Sequence, residues 1–433
     1  MNPVLRNDWT TCTLGDIAGP EKGSVVSGPF GSNIGKRFFI DQGVPLIRGN
    51  NLSDMDKPFT DAGFVFISPE KAEELRKCQA LPGDLVFTAA GTLGQVGLIP
   101  PDGRYPSYII SNKQMRVRLD PSRADPRFAY HWFAAPSMRR YIAEQNKGSS
   151  VPLITLGILR SLPVLLPPLA TQHKIAAILS AYDDLIENNT RRITILEEMA
   201  QRIYREWFVD FRYPGHEGVP LVDSELGLIP EGWRVCRTSD VIAIDPKTAV
   251  PRDTAVPFVP MTSVSETTMH IHALENRTNA SGSRFTHGDT LFARITPCLE
   301  NGKTGHVSFL APGQVAMGST EFIVLRPRIL PAEFVYLLAR SQALRGHAIK
   351  SMSGATGRQR VRRETFDSYL LPMPPSQLLS RFSDVMRPVF GLSRALFQAA
   401  NALRTTRDLL LPRLISGEID VESLDIDTSG LAA

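Results

Sequence analysis

The chain repeats itself once. Pro82-Gly83-Asp84-Leu85-Val86-Phe87 returns as His287-Gly288-Asp289-Thr290-Leu291-Phe292, and each copy runs into a glycine-containing loop, Gly91 to Gly97 in one and Asn301 to Val307 in the other. Apolar strands follow at Met115–Leu119 and Glu321–Leu325, then Phe128/Tyr130 matched by Phe334/Tyr336, Gly148-Ser149-Ser150 by Gly354-Ala355-Thr356, and Leu166-Pro167-Pro168 by Met373-Pro374-Pro375. The offset is 205 residues at Gly83/Gly288 and 207 at Pro168/Pro375. Solenoid repeats run about 20–50 residues, so a period this long is a duplicated domain. Each copy opens on a turn carrying a tryptophan (Trp9; Trp233) and closes on the Pro-Pro pair.

Within a copy, short β-branched runs bounded by Gly, Pro and Asn predict strands. One helical stretch near the end (126–146; 331–351) makes each copy mixed α+β. After each Pro-Pro the periodicity changes. Ile175, Leu179, Tyr182, Ile186, Asn189, Ile193, Leu196, Ala200, Ile203 and Trp207 alternate spacings of four and three, as do Val385, Val389, Leu392, Leu396, Ala399, Leu403, Thr406 and Leu410. That heptad stripe must pack on another helix, and the simplest partner for one stripe is the other. The expected fold is therefore α+β: two similar mixed α/β domains, 1–168 and 212–375, separated by two long helices, 169–211 and 376–416, packed as an antiparallel coiled coil. An acidic tail, 417–433, follows. Asn189 on the stripe would set register, Trp207 and Phe208 would cap the coil or anchor a partner helix, and Pro388 should kink or delay the second helix. At 1.5 Å per residue, 171–207 would span roughly 55 Å, on the order of one to one-and-a-half DNA turns of ~34 Å.

Composition narrows the class. With 42% hydrophobic and 21% charged residues the 433-residue chain is not broadly disordered. No apolar run reaches the ~18–20 residues of a membrane span, and the N-terminus has no basic start leading into an apolar core. Cys12, Cys78, Cys236 and Cys298 stand far apart with no Cys-x-x-Cys pair, which argues against a disulfide framework or zinc knuckle. A soluble, cytoplasmic protein with no membrane partner is expected. The net charge of +4 is mild, but it is uneven: residues 1–168 carry 19 basic and 15 acidic residues, 212–375 carry 18 and 15, and the remainder 11 and 14. After Gly417 there are five acidic residues and no basic one, as in a solvated, poorly ordered end.

Enzyme signatures are wanting. Gly302-Lys303-Thr304 lacks the leading glycine of a phosphate-binding loop, because Pro297 stands there. Asp84 and Asp289 occupy equivalent places and could form a catalytic pair, but Gly-Asp before a strand is ordinarily turn chemistry. His270 and His272 share a strand face without a third ligand at a telling spacing, so structural histidines are expected rather than a metal site.

Nucleic-acid contact has better support. Arg340, Arg345, Lys350, Arg358, Arg360, Arg362 and Arg363 run without an acidic residue until Glu364, and Arg139, Arg140, Lys147 and Ser149 stand in the same place in copy one. Base reading needs side chains able to make paired hydrogen bonds. Candidates are Lys36, Arg37, Arg48, Asn50, Asn51, Asn112, Lys113 and Gln114 in copy one, and Arg294, Thr296, Asn301, Lys303, Arg358, Gln359 and Arg360 in copy two. The two sets differ, so the copies should read different half-sites.

The layout resembles the specificity subunits of type I restriction–modification systems. The resemblance rests on the order of several motifs: Trp9 with Leu14-Gly15-Asp16-Ile17, Val44-Pro45-Leu46-Ile47-Arg48-Gly49-Asn50, Gly83-Asp84-Leu85-Val86-Phe87, and Leu166-Pro167-Pro168 with Gln172 and Ile175. Trp207-Phe208-Val209-Asp210-Phe211, Leu226 to Trp233, Thr296 to Lys303 and Leu411 to Ile419 continue it. The second Pro-Pro departs, being followed by Ser376-Gln377-Leu378-Leu379 in place of the usual acidic-Gln pair. The resemblance implies two target-recognition domains on double-stranded DNA and helices that fix a spacer and dock methyltransferase subunits. Those partners would hold S-adenosylmethionine, a motor-nuclease subunit would join for cleavage, and the present chain would bind no cofactor and catalyse nothing. The rival readings are a self-contained DNA methyltransferase or nuclease and a duplicated scaffold that binds only proteins.

Overall fold

The computed structural model describes residues 8–52, 57–146, 152–251, 253–279, 281–355 and 357–428. The chain divides into unit 1, Met1–Asn188 with Ala400–Ala433, and unit 2, Asn189–Ala399. Unit 1 begins with β1 (Thr10–Thr13), α1 (Leu14–Ile17), β2 (Val25–Ser27), β3 (Val44–Ile47), β4 (Val65–Ile67), α2 (Pro69–Glu74) and β5 (Gln79–Ala80). It continues with β6 (Leu85–Thr88), β7 (Val96–Leu98), β8 (Tyr108–Ile110), β9 (Gln114–Val117), α3 (Pro126–Ala134), α4 (Pro136–Glu144), α5 (Leu156–Arg160) and β10 (Pro163–Leu166). The 40-residue helix α6 (Leu169–Phe208) gives its first half to unit 1 and its second to unit 2.

Unit 2 adds β11 (Leu221–Ser224), β12 (Gly227–Pro230), β13 (Arg234–Arg237), α7 (Thr238–Val241), β14 (Ile242–Ile244), β15 (Ala255–Val259), β16 (Glu275–Thr278) and β17 (Ser283–Thr286). Then come β18 (Thr290–Ala293), β19 (Thr304–His306), β20 (Val315–Gly318), β21 (Phe322–Pro327), α8 (Ala332–Arg340), α9 (Gln342–Lys350), α10 (Glu364–Asp367), β22 (Leu370–Met373) and α11 (Ser376–Ile415).

The repeat in sequence is a repeat in topology. Unit 1 holds four-stranded sheets ordered β2-β9-β6-β7 and β4-β3-β8-β5 plus the β1-β10 ladder. Unit 2 holds β14-β21-β18-β19, β16-β15-β20-β17 and β13-β22, the same orders with every strand number raised by twelve. The parallel pair recurs as well: β3–β8 with Leu46 opposite Ile109, and β15–β20 with Phe258 opposite Met317. The central strand β6 is buried on both faces. Leu85 and Phe87 face a helical core with Phe128 and Phe133, while Val86 faces a second core with Leu46 and Ile109. In β18, Phe292 joins Phe334 and Phe366 on one side and Leu291 joins Val259 and Phe285 on the other. This is the period-two alternation of a strand sandwiched between layers.

In unit 1 the first half of α6 meets the end of α11, where Arg407 Nη1 donates to Asp183 Oδ1 at 2.7 Å. In unit 2 the second half of α6 meets the start of α11, with the Trp207 and Phe208 rings 5.7 and 4.8 Å from Phe382. Later residues of one helix thus meet earlier residues of the other, which is antiparallel packing. On α6, Ile175, Leu179, Ile186, Ile193 and Phe208 are buried, while Asn189, Leu196 and Trp207 are partly buried. The inner positions beside them are Asp183, Glu197 and Tyr204 rather than Tyr182, Leu196 and Ile203. On α11 the buried stripe falls one residue beyond the apolar heptad over most of its length, at Met386, Phe390, Ser393, Ala400, Arg407, Leu411 and Leu414. Leu396 is buried, Val389 and Leu403 are partly buried, and Leu392 is 44% exposed. Ser393 is buried with its hydroxyl on the His270 ring at 2.8 Å, and Arg407 is admitted to the interior because it is paired with Asp183.

Pro388 neither delays nor ends α11, which is helical from Ser376 onward. It lies on the exposed face while Phe382, Met386 and Phe390 anchor the buried one, so the missing N–H frees only a carbonyl on the exposed side. The departure after the second Pro-Pro also has a physical reading. In α6 the buried Gln172 donates to Arg123 O and Pro167 O and accepts from Asp125 N, whereas α11 begins with Leu378 and Leu379 buried instead. The acidic segment after Gly417 is not a frayed end over its described part. Val421 is 1% exposed, Ile419 and Ile426 pack on the unit 1 core, and Lys174 Nζ donates to Glu422 O and Leu424 O at 2.8 Å.

Candidate nucleic-acid interface

The strand directions gather the loops of unit 1 that carry the candidate residues. β2, β3, β6 and β8 all end where β9 begins, so the segments 28–37, 48–51, 89–95 and 111–114 are neighbours. Ser111 N–H donates to Ile47 O at 3.0 Å, Ala89 N–H to Lys113 O at 2.7 Å, and Gly28 N–H to Gln114 O at 2.9 Å. A Cβ at Gly28 would lie 1.8 Å from the Ser111 carbonyl oxygen, so only glycine fits where these two turns touch.

Burial sorts the candidates. Asn51 is fully buried: its Nδ2 donates to Thr60 O and Ala62 O, and its Oδ1 accepts from Arg48 N–H at 3.0 Å. Gln114 is buried with its Oε1 on the Ser111 hydroxyl. These two amides shape the turns and are not free to read bases. Lys36, Arg37, Arg48, Asn50, Asn112 and Lys113 are exposed. Arg37 leans on the Phe38 ring at 4.7 Å and donates to Ser32 O, and Asn50 Nδ2 reaches Gly63 O at 3.4 Å. Lys147 and Ser149 lie outside the described residues.

The same end of unit 2 is built differently. Segment 359–361 is laid against 294–296 by Thr296 N–H to Gln359 O at 3.1 Å and Val361 N–H to Arg294 O at 2.9 Å. Arg360 makes a two-pronged ion pair with Glu321, and Asn301 Nδ2 and Lys303 Nζ donate to Glu266 and Met261 O. Arg340 donates to Glu266 O, Thr267 O and Gly302 O, and Arg345 to Glu300 O. Of the basic run, Lys350, Arg358, Arg362 and Arg363 stay exposed, whereas Arg340, Arg345 and Arg360 hold loops. Gln359, Thr296 and Arg294 are partly buried. A groove of about 750 Å³ opens beside them, lined by Asp245, Lys247, Thr248, Arg284 and Arg294. Lys247 and Arg284 were not among the sequence candidates. The proline at 246, two residues after the end of β14 as Pro29 is two residues after the end of β2, is the signal that marks this loop.

The residues that could have served chemistry are engaged structurally. Asp84 is buried and accepts Arg118 Nε and Nη2 at 2.9 and 2.8 Å plus Leu81 N–H at 2.8 Å. Asp289 repeats this with Arg326 at 2.8 and 2.7 Å and Thr286 N–H at 2.8 Å. His270 bonds to the Ser393 hydroxyl at 2.8 Å and stacks on Phe397 at 4.4 Å, with His272 edge-on to the same ring. Burial lowers the His270 pKa to about 4, so its ring is a neutral packing element. Among the described residues no group of three or more His, Cys, Asp or Glu could hold a metal ion. No helix among them is long and apolar enough to cross a membrane.

A sequence model of the type I restriction modification DNA specificity domain matches residues 6–198. The type I restriction enzyme MjaIX specificity subunit of Methanocaldococcus jannaschii is 24% identical over 97% of this chain and 95% of its own length. The chain is similar over nearly its whole length to type I restriction specificity subunits. The HindI specificity subunit of Haemophilus influenzae is 21% identical, covering 95% of this chain and all of that one. Among solved structures, the crystal structure of a type I restriction-modification S subunit from M. genitalium aligns over 96% of this chain and 99% of that chain with a TM-score of 0.57 at 15% identity. That likeness is one of fold. At 96% of this chain, the alignment takes in residues of both repeated mixed α/β units.

Proposed function

We propose that this chain is the DNA-reading component of a type I restriction–modification complex, with each unit reading one half of a split target. The observation that carries this is a repeated scaffold with unlike edges. The strand orders, the parallel pair and the buried Asp–Arg anchors recur, while the exposed candidates among the described residues differ: Lys36, Arg37, Arg48, Asn50, Asn112 and Lys113 in unit 1, and Lys247, Arg358, Arg362 and Arg363 in unit 2. A conserved frame with divergent loops is how one fold serves two recognition tasks.

On this reading, exposed cations such as Lys36, Lys113, Arg358, Arg362 and Arg363 meet phosphates, and polar side chains on the same loops read base edges. The helices α6 and α11, each contributing to both units, set the number of base pairs between the half-sites and present a surface to methyltransferase subunits. The transfer chemistry, with S-adenosylmethionine, belongs to those partners, and a motor-nuclease subunit would add cleavage.

Filter binding with labelled S-adenosylmethionine tests the division of labour. The chain alone should bind duplex DNA and transfer no methyl group, and adding the methyltransferase subunits should produce methylation at one split sequence. Turnover by the chain alone would overturn it.

A further inference from the structure

Phe30 is 85% exposed, the highest value for a large apolar side chain among the described residues. Its loop is braced on both sides. Gly28 is pinned to the turn before β9 through its N–H to Gln114 O, and Ile34, 4% exposed, is buried in the core with Ile47 and Ile110. Between those anchors Asn33 N–H closes on Phe30 O at 2.8 Å, and Arg37 Nη2 donates to Ser32 O at 3.0 Å. Burial would favour folding the ring down, but the five residues between the anchors hold it out in water.

The ring's surroundings indicate what it meets. Gly31, Ser32 and Asn33 on its own loop, and Asn112 and Lys113 on the abutting turn, are small, polar or cationic. Asn112 Nδ2 lies 3.2 Å from where a Gly31 Cβ would stand, which sets the two turns side by side. A protein-docking aromatic ordinarily extends an apolar patch, whereas a ring set among polar residues and Lys113 suits a polyanion with flat apolar faces inside. In unit 2 the loop after β14 begins the same way, Asp245 N–H donating to Val324 O at 2.8 Å, and the exposed residue after its proline is Lys247.

We infer that Phe30 is a wedge that enters the base stack of the half-site read by unit 1, whereas Lys247 gives the other half a charge contact only. The inference rests on the DNA-reading assignment above and adds a residue, a contact type and an asymmetry between the halves. An apolar wedge partly unstacks a base step, and its preference falls on steps that open easily.

Selection from a random-sequence duplex library on the full chain, assembled with the proposed methyltransferase subunits, tests it with wild type, Phe30→Ala, Phe30→Trp and Lys36→Gln. Wild type should enrich one split sequence. Phe30→Ala should bind that sequence about tenfold or more weakly, with its salt slope unchanged and one base step in one half no longer specified. Phe30→Trp should restore both affinity and preference. Lys36→Gln should instead flatten the salt slope by about one. Equal affinity and an identical sequence for Phe30→Ala would overturn the wedge while leaving the DNA-reading assignment standing, and this is the outcome if the ring docks a protein subunit. Failure of wild type to enrich any sequence would overturn the assignment itself.

Discussion

Asp183 of α6 and Arg407 of α11 form a buried ion pair 2.7 Å apart, with His131 Nε2 3.7 Å from the other carboxylate oxygen and Asp408 sharing the guanidinium. Burial raises the Asp183 pKa to about 6 despite Arg407, so the carboxylate is charged at neutral pH at a cost. Removing one partner leaves the other buried and uncompensated. Arg407→Leu should therefore destabilise unit 1 by roughly 3–5 kcal/mol in urea titrations at pH 7.5. The loss should shrink toward pH 5, because a carboxyl whose folded pKa is raised gains stability as pH falls through that value. The double variant Asp183→Leu/Arg407→Leu should recover most of it. A single variant as stable as wild type would contradict the pairing.

The arginines of 340–363 should separate into two groups. Arg358→Gln, Arg362→Gln and Arg363→Gln should leave the melting temperature in place and each lower the slope of log affinity against log salt by about one. Arg340→Gln, whose guanidinium bonds three backbone carbonyls, should lower the melting temperature. Salt titrations beside thermal melts read both effects, and an unchanged salt slope in the triple variant would count against phosphate contact.

Unit 2 should lose stability on acidification through its buried histidines. His306 is held neutral, with its pKa lowered to about 3 chiefly by burial and also by His287, His270 and Arg394. A folded pKa below the unfolded ~6.5 means that the stability is complete above pH 6.5 and is lost as pH falls. At pH 5 that is about 2 kcal/mol from His306. His306→Phe keeps a ring beside Phe390 and Tyr336 and should reduce the acid loss by about that amount. Denaturant midpoints at pH 7.5 and 5.0 make the comparison, and identical losses in variant and wild type would refute it.

The duplication was readable because its most repetitive motif is structural. Gly83 and Gly288 take φ of 83° and 85°, which glycine tolerates, and Asp84 and Asp289 must meet their arginines, so these positions cannot drift freely. The long helices were readable from period alone. Their inner face was not, because Ser393, Ala400, Arg407, Asp183 and Glu197 are buried while Leu392 is exposed. An apolar count cannot see that Glu197 accepts from the Tyr336 hydroxyl at 2.5 Å and from Met269 N–H at 3.2 Å. Site residues were the least readable. Asn51 and Gln114 have the chemistry of base readers and the burial of scaffold, and only the fold separates those roles.

The central claim is that the two units read separate halves of one target. It is tested most directly by replacing the β13–β22 region of unit 2, Arg234–Met373, with the matching region of another specificity subunit and sequencing the methylated sites in cells that carry the methyltransferase. The account predicts a new sequence in one half and an unaltered other half. A change in both halves, or in neither, would contradict it.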